Sequence, residues 1–161
     1  MHNASNDAGS QYTMIRHAKI CASIAIRFRD VDAMGHVNNA EYLTYFEEGR
    51  KAFLKEVMGI EVPADYPFIL ARAVCDYIRP IPLSAEISVM VWISRIGKKS
   101  FNFRYEIIDT RGGPEPYARG ESVMVWYDYT SGKTAPIPEE TAAKLREYRE
   151  KSSTPASSGT A

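Results

Sequence analysis

The residues best suited to chemistry fall in one short run, RFRDVDAMGHVNN, residues 27–39. Asp30 and Asp32 lie two positions apart. Two carboxylates sharing a site push at least one pKa upward, which suits a general base. Gly35 gives the loop flexibility. The amphipathic run that follows begins a helix near Asn39, and the free N–H groups of a helix start, with the positive end of its dipole, stabilise a developing oxyanion. A carboxylate beside such an oxyanion hole attacks an ester or thioester carbonyl, or activates water against it. The competing reading is that Asp30 and Asp32 are turn formers helped by Gly35.

Other reactive residues are sparse. His36 is the single histidine between positions 19 and 149. It orients Asp32, lines a pocket or packs in the loop. Without further histidines in that region a Ser-His-Asp triad has only His36 to use, and no Gly-x-Ser-x-Gly elbow is present. No cluster of His, Cys and acidic residues has metal-ligand spacing, so no metal is expected. No phosphate-binding or dinucleotide glycine motif occurs either, and no cofactor is expected. Glu47 and Glu48 lie in mid-helix, where Glu47 and Arg50 are spaced for an ion pair. Tyr42, Tyr45 and Phe46 suit a core or a pocket wall. The segment RIGKKSF, Arg95 to Phe101, carries Arg95, Lys98 and Lys99 with no acid. Such a turn binds phosphate where glycine lets the backbone approach, or is simply solvated. Cys21 and Cys75 sit in apolar stretches and are expected as buried, reduced thiols.

These residues need a scaffold. Residues 21–29 alternate with period two, as a strand does, with Ile24, Ile26 and Phe28 on one face. Tyr42, Phe46, Gly49, Phe53 and Val57 recur at spacings of three and four, which predicts a helix of about five turns. Asn38 or Asn39 caps it, and Gly59 stops it. Strands follow over residues 68–78, around 87–93, 101–107 and 123–127, with short connections that imply antiparallel neighbours. PEETAAKLREYRE, residues 138–150, forms a short polar helix with Pro138 near its start. One apolar helix against one curved antiparallel sheet gives an α+β domain in two layers.

The chain has 161 residues, one domain's worth, with 20 basic and 20 acidic residues. That balance disfavours nucleic-acid binding, which needs surplus positive charge. No apolar run approaches the ~20 residues of a membrane span, and no signal-peptide core precedes the domain, so a cytoplasmic protein without membrane contact is expected. A flexible segment over residues 1–18 and a disordered Ser/Thr-rich tail over 150–161 are expected to flank the domain at 19–149.

The run Asp30, Asp32, Gly35, His36, Val37, Asn38, Asn39, then Tyr42, Tyr45, Glu47 and Arg50 resembles the signature of the hotdog-fold acyl-CoA thioesterases of the 4-hydroxybenzoyl-CoA thioesterase type, including the YbgC-like branch. The resemblance implies a hotdog fold, an antiparallel five-stranded sheet wrapped around one long helix. It implies hydrolysis of an acyl-CoA thioester, with coenzyme A as part of the substrate. Asp32 would be the catalytic carboxylate. The Asn39 N–H would polarise the carbonyl, supported by Gly35 and its neighbour His36. Tyr42, Tyr45 and Glu47 would line the substrate site, and Arg95, Lys98, Lys99 and Ser100 would belong to the segment that meets the coenzyme A phosphates. A homodimer, or a homotetramer built from dimers, would complete the acyl site between subunits. An acyl-carrier-protein thioesterase, a non-catalytic acyl-CoA-binding module and a hotdog hydratase are the alternatives. The hydratase pairs its aspartate with a histidine in a different loop arrangement.

Overall fold

The computed structural model describes residues 19–113 and 115–150. The flexible segment and tail expected at the two ends lie almost wholly outside the described residues. The elements run β1 (Ile20–Ile24), α1 (Asn39–Phe53), β2 (Phe68–Tyr77), β3 (Ile87–Ile96), β4 (Ser100–Asp109), β5 (Ala118–Asp128), β6 (Lys133–Thr134) and α2 (Glu139–Glu147). The main sheet is antiparallel in the order β1-β3-β4-β5-β2, with the two-residue β6 paired to β5. This is the expected α+β arrangement plus the short β6, which was not anticipated.

Helix α1 packs across one face of the sheet against β1, β2, β3 and β4. Its inward stripe is Tyr42, Tyr45, Phe46, Gly49 and Phe53. Two glycines let the layers close. A Cβ on Gly49 would lie 2.7 Å from Val91 Cγ2 and 2.8 Å from Val89 Cγ1, so the helix backbone rests directly on β3 there. A Cβ on Gly120 of β5 would fall within the space that the Phe46 ring occupies. Phe46 stacks on Tyr105 at 4.6 Å, and Phe53 meets Phe103 edge-on at 5.0 Å.

The expected helix continues past α1 as a π-helical turn, Leu54–Met58, and ends at Gly59, whose φ of 69° is left-handed. Phe53 and Leu54 are adjacent yet both fully buried at the start of this widened turn. Asn38 is the cap: its side chain accepts from the Ala40 N–H at 3.0 Å, and Asn39 is the first helical residue.

Strand β1 is shorter than its alternation suggests. After Ile24 the chain turns into a 3₁₀ turn at Phe28–Asp30, which leaves Phe28 85% exposed instead of facing the core with Ile24 and Ile26. Cys21 is exposed on this outer strand, which corrects its expected burial; Cys75 is half-buried and its thiol is pushed up to about 11 by burial.

The two outer strands are treated differently. β1 covers β3 from Ile87 to Val91. The segment after α2 then takes over, through Ile93 N–H to Tyr148 O at 3.0 Å and Glu150 N–H to Ile93 O at 2.8 Å. On the other side, β2 pairs with β5 on one flank and has no strand on the other among the described residues. Leu70 and Tyr77 of this open strand are 50% and 51% exposed.

Candidate active site

The acidic loop is held by Asp30. Its carboxylate is only 2% exposed. Oδ2 accepts from the Arg27 N–H at 2.9 Å and from the Tyr45 hydroxyl at 2.9 Å. The Asp30 carbonyl accepts from the Asn38 N–H at 2.8 Å. One residue therefore closes the 3₁₀ turn, ties it to α1 and fixes the residue that caps α1. Burial, and then the carboxylate beside it, hold the Tyr45 hydroxyl far above its ordinary range, so it stays a donor. Tyr45, expected among the substrate contacts, is buried, and its hydroxyl is taken up by Asp30.

Asp32 has a different environment. It is half-buried, and its Oδ1 accepts from the Met34 N–H at 2.8 Å. Its own N–H donates to the His36 carbonyl at 2.8 Å, and its carbonyl accepts from Gly35 N–H at 3.0 Å. This is a tight turn, and Gly35 with φ of 82° supplies the left-handed residue it requires. The two aspartates thus have separate donors: Asp30 builds the loop and Asp32 is presented by it. The His36 backbone thus closes the turn on one side and bridges to Pro82 on the other.

The turn leads straight into α1. Asn38 takes the Ala40 N–H on its side chain and the Glu41 N–H on its carbonyl, which leaves the Asn39 N–H without an acceptor among the described residues. A free N–H at the positive end of a helix, a few residues from a half-buried carboxylate, can polarise a carbonyl while the carboxylate acts on it. Tyr77, which sequence reasoning missed, reaches this point from β2. Its hydroxyl donates to the Asn39 carbonyl at 3.0 Å, and its ring meets the buried Tyr42 edge-on at 4.9 Å. An aromatic residue closing a strand was the only signal available.

Glu47 pairs with Lys51 at 3.5 Å, where the sequence suggested Arg50. It is half-exposed, and with Leu43 and Arg50 it lines a pocket between α1 and β2 rather than the turn at Asp32.

Lys98 and Lys99 lie in the turn between β3 and β4, with Arg95 near the end of β3 and Ser100 the first residue of β4. Gly97 N–H donates to Ser100 O at 2.7 Å, and Lys99 reaches Thr134 Oγ1 at 3.2 Å. A cleft of about 300 Å³ lies beside it, lined by Gly97 and Lys98 and by Arg146 and Arg149 from the end of α2 and just beyond. Glu139 already holds Arg146 at 2.6 Å, while Lys98 and Arg149 make no ion pair with a described residue. The basic spacing in LREYRE was the unread sign of this second bank.

The basic turn and the acidic turn occupy opposite ends of the sheet. Val37 N–H binds Ile81 O at 2.9 Å in the segment that enters β3, whereas residues 97–99 follow its exit. The intervening strand of 10 residues is about 30 Å long. The same polarity holds on β2: Tyr77 meets the start of α1, and Phe68 pairs with Trp126, whose N–H binds Lys99 O at 2.8 Å. Among the described residues no group of three or more His, Cys, Asp or Glu is placed to hold a metal ion, and no helix is long and apolar enough to cross a membrane.

A long helix against a curled antiparallel sheet, with an acidic turn at the helix start, defines a hotdog thioesterase domain. Residues 26–145 match the thioesterase-like superfamily, and the chain belongs to it. A structure from Bacillus stearothermophilus described as a predicted thioesterase superposes with a TM-score of 0.76 at 27% identity, covering 84% of this chain and 99% of that one. A thioesterase of Thermus thermophilus, solved with coenzyme A and zinc, has a TM-score of 0.69 at 33% identity over 78% of this chain and 91% of its own. The uncharacterized protein YsmA of Bacillus subtilis is 29% identical over 126 residues, 78% of this chain and 84% of the relative.

Proposed function

We propose that the chain is an acyl-CoA thioester hydrolase of the 4-hydroxybenzoyl-CoA thioesterase type, working as a homodimer. The observation that carries this is the half-buried Asp32 carboxylate presented by the turn that leads into the unengaged Asn39 N–H at the start of α1. The thioester carbonyl oxygen sits at that N–H, where the helix dipole stabilises the oxyanion. Asp32 either removes a proton from the attacking water, or attacks the carbonyl itself to give an anhydride that water then opens. In both routes the C–S bond breaks, coenzyme A leaves as the thiol and the acyl group leaves as the free acid.

The distance between the two turns supports the dimer. One chain holds the acidic turn and the basic turn about 30 Å apart, at opposite ends of its sheet. Antiparallel pairing of two open β2 strands about a two-fold axis brings the acidic turn of one copy to the end that holds the basic turn of the other. The exposed Leu70 and Tyr77 on β2 support that pairing. Coenzyme A is favoured over a carrier protein as the thiol carrier because the basic turn opens on a cleft with two cationic banks, which suits nucleotide phosphates.

The test is thiol release from a panel of aliphatic and aromatic acyl-CoAs, with Asp32→Asn beside the wild type. The expected loss is roughly 10²-fold or more in kcat. Absence of release from every acyl-CoA would refute the enzyme. Release undiminished in Asp32→Asn would refute the site.

A further inference from the structure

Arg50 is a half-buried cation that the reaction above does not use. It lies on α1 in line with Asn39, Leu43 and Glu47, about three turns from the helix start. A pocket of about 170 Å³ opens along this line, between Leu43 and Phe46 on α1 and Leu70 and Ala73 on β2. That is roughly five to six waters' share of liquid volume, enough for the end of an acyl chain. Leu43, Phe46, Leu70 and Ala73 supply its apolar lining, and Thr44, Glu47, Tyr105, Glu121 and Ser122 line it together with Arg50.

Arg50 Nη1 lies 3.4 Å from the Tyr105 hydroxyl, which is itself bonded to Ser122. Two glutamates belong to the same wall, but both are engaged elsewhere. Glu47 is held by Lys51 at 3.5 Å, and Glu121 by Arg72 at 3.1 Å and Arg104 at 3.8 Å. Arg50 has no carboxylate partner among the described residues. A partly desolvated guanidinium without an anion is unfavourable, and its planar fork matches a carboxylate.

We propose that this pocket receives the far end of the acyl group and that Arg50 pairs with a carboxylate there, so that the preferred substrates are coenzyme A half-thioesters of dicarboxylic acids. The inference rests on the thioesterase reading. The axial distance from Asn39 to Arg50 is about 16 Å. Helical side chains tilt toward the N-terminus, which shortens the span and suits a medium-length chain rather than an acetyl-sized group. Burial pushes the Tyr105 hydroxyl up to about 12, so it remains a neutral hydroxyl beside the bound carboxylate.

Suberyl-CoA and octanoyl-CoA have the same chain length and differ in a terminal carboxylate against a methyl. Their kcat/KM values are compared in the wild type, in Arg50→Gln and in Ala73→Glu, which brings a competing carboxylate to the pocket wall. The wild type is expected to favour suberyl-CoA roughly tenfold, and the preference is expected to shrink to about twofold or less in both variants. Ala73→Glu decides alone if Arg50→Gln does not fold. A wild type that favours octanoyl-CoA, a ratio unchanged in the variants, or turnover of other acyl-CoAs but neither of these two overturns the proposal and leaves the thioesterase standing. Failure to hydrolyse any acyl-CoA overturns the thioesterase reading itself.

Discussion

Replacing Tyr45 by Phe removes one oxygen and leaves the ring in the core. That oxygen donates to Asp30 at 2.9 Å in a site where the carboxylate is 2% exposed. A hydrogen bond to a charged group contributes about 1.5–3 kcal/mol, and a buried acceptor deprived of its donor has no water to turn to. Asp30 keeps the Arg27 N–H at 2.9 Å, and Arg29 Nε remains at 3.9 Å. These partners retain part of the stabilisation, so a loss of about 2 kcal/mol is expected. For a chain of this length that lowers Tm by about 4–8 °C. Urea unfolding of wild type, Tyr45→Phe, Asp30→Asn and the double variant measures the loss and the coupling, which is expected to exceed about 1 kcal/mol because the two groups touch. A Tyr45→Phe protein within about 0.5 kcal/mol of wild type, the range of an ordinary surface change, would refute the view that this bond anchors the loop.

Three further outcomes are expected. Gly120→Ala sets a methyl against the Phe46 ring, which is buried and stacked on Tyr105 and cannot retreat, so unfolding experiments should show a loss of about 1–3 kcal/mol. Lys98→Ala combined with Lys99→Ala should raise KM for acyl-CoA more than it lowers kcat in steady-state assays, and an unchanged KM would remove the phosphate role. Alkaline titration should destabilise the fold. Tyr105 holds its proton to about 12 because it is buried, whereas the unfolded chain releases it near pH 10. The unfolded state then binds fewer protons, so this stabilisation is complete below about pH 10 and is lost as pH rises toward 12, by about 2–3 kcal/mol. Tyr45 shifts in the same direction and adds to the fall. A urea midpoint that stays flat from about pH 9 to 12 would contradict this account.

Spacing in the sequence is a good guide wherever one periodic face meets one partner. Tyr42, Phe46, Gly49 and Phe53 point to the inner stripe of α1 because an amphipathic helix over a sheet has only one way to bury them. β4 alternates for the same reason, with Phe101, Phe103, Tyr105 and Ile107 all buried. Reading fails where a side chain competes with the backbone. Residues up to Phe28 continue the strand pattern, but the Asp30 carboxylate captures the Arg27 N–H and winds the chain into a 3₁₀ turn. The paired motif Asp30 and Asp32 drew attention to the right loop, yet spacing alone could not separate the aspartate that builds the turn from the one it presents. That distinction comes from Tyr45, fifteen residues away in sequence and in contact only after α1 has docked. Tyr77, Arg146 and Arg149 were unread for a related reason: they reach their places from other elements, and no local pattern marks the meeting point.

The placing of the two turns at opposite ends of one sheet has a genetic side. If a working site draws its acidic turn from one copy and its basic turn from another, the two turns of one chain are inherited together but used apart. A chain with a damaged acidic turn still lends an intact basic turn to its neighbour, and the reverse also holds. When two differently damaged chains meet, one of the pair's sites inherits both lesions and the other inherits neither. Lesions that disable each allele alone would then partly rescue one another in a mixed population, and a single short gene would divide into two complementation groups along the length of β3.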